Sequence, residues 1–143
     1  MPDQIAPVRF HLLFPFTLRE RRKLQEYIRF LFKNEKTPLG SMDYIFCSDD
    51  YLLKINQDFL KHDFLTDIIT FDLSDNQQAI SGELYISIER VKDNARILGI
   101  PFLTELRRVM FHGALHLCGY KDKSKRHIRE MRLKENYYLS RFN

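Results

Sequence analysis

The sequence predicts an α+β fold, in which a single domain holds a sheet of about four strands and about five helices. Two observations indicate this class. Short segments with β-favouring residues at alternate positions occur four times, and longer segments with apolar residues three or four positions apart occur five times. The chain of 143 residues is long enough to bury a sizeable core, and it contains no internal repeat. We therefore expect residues 1–143 to form one domain.

Alternating apolar residues predict strands at residues 5–13, 42–46, 66–73 and 83–88. Both faces of the third strand are apolar, so we expect that strand to be covered on both sides. The polar residues 74–78 after it are predicted to form a loop. The side chains expected to face the core from the other strands are Val8, Phe10, Leu12, Met42, Tyr44, Phe46, Leu84, Ile86 and Ile88.

Capping and helix-breaking residues mark the five predicted helices. Thr17, Ser48 and Thr104 are the predicted N-caps of the first, second and fourth helices, and the fifth helix is predicted to run from about Ser124 to Leu139. Gly99 is expected to end the third helix, because glycine adopts positive φ at little cost. The side chains expected to face the core are Leu24, Ile28, Leu31, Phe32, Leu52, Ile55, Phe59, Val91, Ala95, Leu98, Leu106, Val109, Met110, Leu117, Ile128, Met131 and Tyr138.

Charge and cysteine content narrow the function classes. The net charge is +4, but residues 119–143 carry eight Lys or Arg against three acids. Such a basic segment attracts phosphate-rich partners, although charge runs are more often solvated helix faces. No stretch approaches the roughly 20 apolar residues of a membrane span, so we expect no membrane association. Cys47 and Cys118 show no disulfide-framework spacing, which fits a reducing, cytoplasmic setting.

The segment 111–122 carries the strongest chemical signal in the chain. His112 and His116 stand four residues apart in a predicted helix and therefore share one face. Gly119 follows where the helix should stop, and a turn there would bring Asp122 back past the helix end. The pattern His-x3-His-x5-Asp predicts a three-ligand metal site with an open fourth position, at the C-terminal end of the histidine helix.

Other interpretations of this segment stay open at the level of sequence. Two histidines four apart are more often ordinary helix residues than ligands, and His127 competes with Asp122 as the third ligand. The residue after His112 is Gly113 rather than glutamate, so the HExxH pattern of zinc peptidases is absent. A glycine inside a helix indicates close approach of another element. Metal-binding histidines usually donate their second N–H to a carboxylate, for which Asp67 is one available partner.

The same residues resemble the signature of the YbeY-type endoribonucleases, the rRNA maturation factors of bacteria, which has the form H-G-x-L-H-L-x-G-Y-D-H. Residues 112–120 match every fixed position as far as the tyrosine. Residues 66–71 resemble the TDVLSF block of that family, and residues 82–87 resemble its GDI-x-IS strand. These blocks follow one another in the family's order.

Two positions depart from the family pattern. The final aspartate and histidine of the motif fall at Lys121 and Asp122, so a carboxylate stands in place of the third histidine. Carboxylate oxygen is a normal zinc ligand, but its charge should make the metal a weaker Lewis acid. An arginine of the family falls at Leu60, which cannot clamp a phosphate. The candidate substitutes are the adjacent Lys61 and His62, or Lys121 and Lys123.

The resemblance implies a metal-dependent, single-strand-specific endoribonuclease that acts in maturation of the 16S rRNA 3′ end and in ribosome quality control. It implies that His112, His116 and Asp122 are catalytic residues and ligands of one Zn²⁺ per chain, which would polarise a phosphoryl oxygen. The implied partners are single-stranded RNA and the small ribosomal subunit or its assembly factors. The side chains expected to hold the RNA backbone are Lys61, Lys121, Lys123, Lys125 and Arg126.

Two other function classes are compatible with the residues. One is a non-catalytic, metal-containing ribosome-assembly or RNA-binding factor, which the leucine at position 60 favours. The other is a metallohydrolase of another substrate class, such as a peptide or a small phosphoester. The basic C-terminal segment argues mildly against a peptide.

Overall fold

A four-stranded mixed sheet forms the frame of the computed structural model, which describes residues 5–75 and 78–143. Its strands are β1 (Val8–Leu12), β2 (Leu39–Cys47), β3 (Ile68–Asp72) and β4 (Ile80–Ser87), in the spatial order β1-β2-β4-β3. Both β1 and β4 run parallel to β2, whereas β3 pairs with β4 in the antiparallel sense. Parallel neighbours need a crossover connection, and each of the two crossovers here contains a helix.

Five helices among the described residues complete the predicted α+β fold. The N-cap predicted at Ser48 is confirmed, because its hydroxyl group accepts the backbone N–H of Tyr51. Ser124, where the last helix was predicted to begin, caps that helix in the same way by accepting the N–H of His127. Gly99 ends the third helix with a φ of 68°, as expected. In the part of the chain that the structure describes, no helix has the length and apolar character that crossing a membrane requires. The helices are α1 (Arg21–Asn34), α2 (Asp49–Leu60), α3 (Ile88–Leu98), α4 (Phe102–Leu117) and α5 (Lys125–Phe142).

The main core lies between one face of the sheet and the helices α1, α4 and α5. Inward side chains such as Tyr44 and Leu84 are completely buried there. A smaller cluster on the opposite face, beneath α2, consists of Cys47, Leu52, Ile55 and Ile69. Because Ile68 packs against the main core and Ile69 belongs to the smaller cluster, β3 is covered on both faces as its sequence predicted.

Two of the predicted N-caps are wrong. Helix α1 begins only after Glu20, whose φ of 58° is left-handed and whose side chain makes no capping bond, so Thr17 lies outside the helix. Helix α4 begins directly after Pro101, which places Thr104 inside its first turn. The fixed φ of proline suits a helix start, and here it prevails over the capping preference of threonine.

Three side chains that were predicted to face the core are exposed. Phe59, Leu98 and Ile128 are 69%, 57% and 48% exposed, respectively. Each lies in a terminal turn of its helix, where the apolar periodicity continues but the side chain is not covered. The ring of Phe59 touches only the edge of the core, in a T-shaped contact with Phe71 of β3. Of the loop predicted at residues 74–78, positions 76 and 77 lie outside the described residues.

Gly113 allows α4 to lie directly on the sheet. A Cβ atom at this position would lie 2.2 Å from Leu84 Cδ2 and 2.7 Å from Ile68 Cδ1. A side chain larger than hydrogen would displace the side chains of Leu84 and Ile68, so the glycine marks a close approach, as predicted. This packing places the adjacent His112 in the same cleft as residues of β3.

Candidate metal centre

A glycine turn after α4 returns the chain to the two predicted histidines. The N–H of Gly119 donates to the carbonyl of His116 at 3.0 Å, and the N–H of Tyr120 donates to the carbonyl of Leu115 at 3.1 Å. These two bonds form a Schellman motif, and Gly119 has the positive φ, 104°, that the motif requires. The chain therefore reverses directly after the helix, and Asp122 comes to lie beside the histidines.

Three candidate ligand atoms converge at this turn. Asp122 Oδ2 lies 3.2 Å from His112 Nε2 and 3.1 Å from His116 Nε2. One candidate ligand atom from each of the three side chains lies within 4.8 Å of the other two. Bonds of about 2.0–2.1 Å to a tetrahedral ion would hold the ligand atoms roughly 3.3–3.4 Å apart, close to the distances seen. The predicted cluster at the helix end is confirmed, and its atoms fit a metal ion such as Zn²⁺.

Asp122, rather than His127, completes this cluster. Among residues 5–75 and 78–143, the group consists of His112, His116 and Asp122, and His127 lies outside it. The side chains of the three residues are 19%, 30% and 38% exposed, so one side of the cluster faces solvent. An open side leaves room for a fourth ligand, as catalytic metal sites require.

A buried carboxylate on α5 orients His112. The Nδ1–H of His112 donates to Glu135 Oε2 at 2.5 Å, which leaves the Nε2 lone pair directed toward the cluster. Burial opposes ionisation of Glu135, but the hydrogen bond from His112 and the charge of Arg108 together hold its pKa below the usual value. The suggestion that Asp67 has this role is wrong, because Asp67 contacts Asn94 Nδ2 instead, at 3.5 Å. Burial raises the pKa of Asp67.

Glu135 belongs to a buried ionic network. Arg108 Nη1 donates to Glu135 Oε1 at 3.1 Å, and Arg108 also binds both carboxylate oxygens of Glu105. Glu105 is completely buried and Glu135 is 2% exposed. A single guanidinium therefore holds two buried carboxylates, which connects α4 to α5 directly behind His112.

A second carboxylate, that of Glu35, holds the turn after α4 in place. Tyr120 Oη donates to Glu35 Oε1 at 2.7 Å, and Lys134 Nζ donates to Glu35 Oε2 at 3.2 Å. Tyr138 donates to the same carboxylate. Since Tyr120 lies between the histidine helix and Asp122, these bonds connect the position of the turn to α1 and α5.

We expect Glu35→Gln to lower the free energy of unfolding at pH 7 by about 1–3 kcal/mol, since it replaces charge-assisted hydrogen bonds. Burial alone would raise the pKa of Glu35, but bonds from Tyr138, Tyr120 and Lys134 lower it overall. A carboxyl group with a lowered folded-state pKa stabilises the protein above its unfolded pKa and loses this effect as the pH falls through the folded value.

Denaturant unfolding at pH 7 and at pH 3 measures the difference between wild type and Glu35→Gln. The difference should shrink at the lower pH, because the stabilisation from a carboxylate with a lowered pKa decreases as the pH falls toward that pKa. Glu26→Gln, at an exposed acid of α1, is the control and should change little. A difference between wild type and Glu35→Gln that is equal at both pH values would contradict the assignment.

The cluster lies in an open cleft of about 680 Å³. This volume is in the range of small-ligand sites, about 300–1,000 Å³. Another part of the cleft wall is formed by β3 and by the segment that precedes it, residues 60–67. The lining therefore contains polar and apolar side chains in addition to the three candidate metal ligands. They include Asn56, Leu60, His62, Phe64, Asp67, Thr70 and Lys123.

The structure brings one of the five predicted RNA-binding cations to the cleft. Lys123 lines it, whereas Lys61, Lys121, Lys125 and Arg126 are not among the described residues of the lining. Arg126 pairs instead with Glu130 along the surface of α5, at 3.1 Å. Leu60, at the position of the family's arginine, lines the cleft, and the nearby His62 also lines the cleft.

Two functional features were missed by the sequence predictions. The hydrogen bond that His112 donates to Glu135 joins residues far apart in sequence. The available signal was Glu135 itself, an acid at a position where the helical spacing of Ile128, Met131 and Tyr138 would place an apolar residue. Phe64 lines the cleft although it was not considered for the site. A large aromatic residue that belongs to no periodic apolar pattern was the available signal.

The fold and the cluster define an α+β protein with a three-residue candidate metal site at the end of a helix. A sequence model of the family described as Endoribonuclease YbeY matches residues 16–143. The chain belongs to the Endoribonuclease YbeY family, as the resemblance of its histidine motif predicted.

Individual relatives cover nearly the whole chain. It is 48% identical to the Endoribonuclease YbeY of Cytophaga hutchinsonii over 125 residues, which is 87% of both chains. It is 46% identical to that of Flavobacterium psychrophilum over 136 residues, 95% of this chain and 96% of the relative. The solution structure of TM1509 from Thermotoga maritima is 29% identical, with a TM-score of 0.65 over 94% of this chain and 88% of the other.

Proposed function

We propose that this protein is a zinc-dependent endoribonuclease that cuts single-stranded RNA. The observation that carries the proposal is the convergence of two imidazole nitrogens and one carboxylate oxygen in an open cleft. Three protein ligands and an open position are typical of catalytic zinc sites. The relatives of this chain carry the name endoribonuclease, which supports RNA as the substrate class.

His112, His116 and Asp122 would hold one Zn²⁺ per chain. Imidazole suits zinc, whereas Mg²⁺ prefers all-oxygen sites. When bound, the ion would supply Lewis acidity to a phosphoryl oxygen and lower the pKa of a coordinated water. Glu135 keeps the Nδ1 atom of His112 protonated, so that Nε2 is the atom available to the metal. The Schellman turn at Gly119 holds the carboxylate of Asp122 against the two rings.

Cutting should depend on a substrate that is RNA and single-stranded. The purified protein with metal restored is incubated with a single-stranded RNA, the same RNA in a duplex, and a DNA strand of the same sequence. We expect rapid cleavage of the first substrate only. If the duplex is cut as fast, the strand preference is wrong, and if peptide or small phosphoester substrates react instead, the substrate class is wrong.

Lys123 is positioned to bind a phosphate of the substrate. It is the one permanently cationic side chain among the described residues that line the cleft. We expect Lys123→Gln to weaken RNA binding and to lower the slope of log K against log salt by about 0.7, the value for one contact with a single strand. Fluorescence anisotropy at several salt concentrations measures this slope. The control is Lys54→Gln, at an exposed lysine of α2 outside the described lining, and a slope unchanged by Lys123→Gln would exclude the contact.

The cellular substrate that we propose is ribosomal RNA near the 3′ end of 16S rRNA, with the small ribosomal subunit or its assembly factors as partners in the cytoplasm. The resemblance of the histidine motif to that of bacterial rRNA maturation factors supports this proposal. Cells that lack the protein should accumulate 16S rRNA extended at its 3′ end. Wild type should restore mature 16S rRNA, and His116→Ala should not.

The second candidate function is a non-catalytic RNA-binding factor of ribosome assembly. The observation that favours it is Leu60, which lines the cleft at the position of the family's arginine and cannot bind a phosphate. The same complementation experiment separates the two functions. Full restoration of mature 16S rRNA by a His112→Ala/His116→Ala double variant would favour the binding role over catalysis.

A further inference from the structure

Two aromatic rings form a stacked pair in the cleft. The rings of His62 and Phe64 have centroids 5.1 Å apart and planes inclined by 22°. Both residues line the cleft that contains the candidate metal ligands. Phe64 is 56% exposed and belongs to neither hydrophobic cluster. One exposed aromatic residue is ordinary, but a stacked pair beside a candidate reaction centre indicates a binding surface.

Hydrogen bonds to α2 hold the segment that carries the two rings. The side chain of Asn56 is buried and donates Nδ2–H to the carbonyl of Phe64 at 3.0 Å. The backbone N–H of His62 donates to the carbonyl of Asn56 at 3.1 Å. The single residue Asn56 thus connects both rings to α2. A surface held in place before binding loses less conformational entropy when a ligand arrives.

Aromatic rings are the usual means by which proteins bind unpaired bases. A base stacks on the ring face whatever its identity, whereas a base inside a duplex is stacked on its neighbours and cannot do so. The same cleft contains Lys123 for a phosphate and the cluster of His112, His116 and Asp122 for the reacting group. A nucleotide whose phosphate lies at that cluster would therefore have an aromatic surface within the same cleft for its base.

We propose that His62 and Phe64 form a stacking platform for an unpaired base next to the phosphodiester that is cut. This inference rests on the proposed function and adds to it a base-binding subsite. The platform explains a preference for single strands by the geometry of the substrate. It also identifies a contribution to affinity that does not depend on the arginine absent at position 60.

A single tryptophan can report on this platform, because the natural chain contains none. In Phe64→Trp, single-stranded RNA should quench the indole fluorescence, while an abasic strand of the same length should not. Phe59→Trp is the matched control, since Phe59 is 69% exposed on α2 but lies outside the described lining. Equal quenching at both positions, or no quenching at position 64, would overturn the platform.

Affinity measurements give an independent test. Phe64→Leu keeps an apolar side chain but removes the ring face, and it should weaken binding of single-stranded RNA about tenfold. His62→Ala should do the same. For an abasic strand, wild type and both variants should bind equally, because the base that stacks is missing. If both variants bind single-stranded RNA as tightly as the wild type does, the platform is wrong.

The outcomes separate this inference from the proposed function. If the wild type cuts single-stranded RNA, and Phe64→Leu and His62→Ala bind and cut it equally well, the platform is wrong and the nuclease assignment stands. If RNA quenches Phe64→Trp as expected but the wild type with zinc cuts no RNA, the platform stands and the proposed catalysis is wrong.

Discussion

His116→Ala and Asp122→Ala should each abolish stoichiometric metal binding and reduce RNA cleavage by at least about 10²–10³-fold, the usual loss when one strong electrostatic group is removed from a reaction centre. Each change removes one of three converging ligand atoms. Both side chains are partly exposed, at 30% and 38%, so the fold should survive their removal. Metal content by elemental analysis and initial cleavage rates measure the two effects.

His127→Ala is the matched control for these variants. It removes a histidine that lies near the site in sequence but outside the three-residue cluster. It should retain one metal ion per chain and wild-type cleavage. Loss of metal in His127→Ala alone would show that Asp122 is not the third ligand. Equal cleavage by all variants would indicate a contaminating nuclease.

Glu135→Ala should have the largest effect on stability, because it removes a buried carboxylate from its two partly buried partners, Arg108 and His112. Removing one member of a buried ion pair typically costs about 3–5 kcal/mol, and we expect about 3 kcal/mol because Arg108 keeps its bonds to Glu105. The bond that orients His112 is lost as well, so metal affinity should fall about 10–100-fold. Denaturant unfolding and competition with a chelator measure these changes.

Glu130→Ala on the same helix provides the comparison. Its carboxylate pairs with Arg126 at the surface, with side chains 47% and 77% exposed, so its loss should cost only a few tenths of a kcal/mol. Metal affinity should not change. If Glu135→Ala is as mild as Glu130→Ala in both measurements, the buried network does not support the site.

Local geometry explains what the sequence could predict. The four-residue spacing of His112 and His116 determines their shared face, and the glycine at 119 determines where the helix ends, so the cluster followed from one short segment. The strands and core residues followed from their periodicity in the same way. The position of Asp122 was expected because a turn at the helix end leaves few directions for the next three residues.

Contacts between distant elements explain what the sequence could not predict. Glu135 reaches His112 only because α5 packs along α4 in one particular register, and no local pattern encodes that register. Phe59 and Leu98 continue the apolar stripes of their helices, but both side chains remain more than half exposed, which periodicity alone cannot predict. The stacked pair of His62 and Phe64 similarly depends on the bonds of Asn56 to the segment after α2.

The proposed function requires one metal ion, held by the cluster of His112, His116 and Asp122, for cutting of single-stranded RNA. Titrating zinc into metal-free protein while following cleavage tests this directly. The rate should rise with added zinc and reach a plateau at one equivalent per chain, and His116→Ala should show no rise. Cleavage by the metal-free protein at the full rate, or an equal response of His116→Ala to zinc, would contradict it.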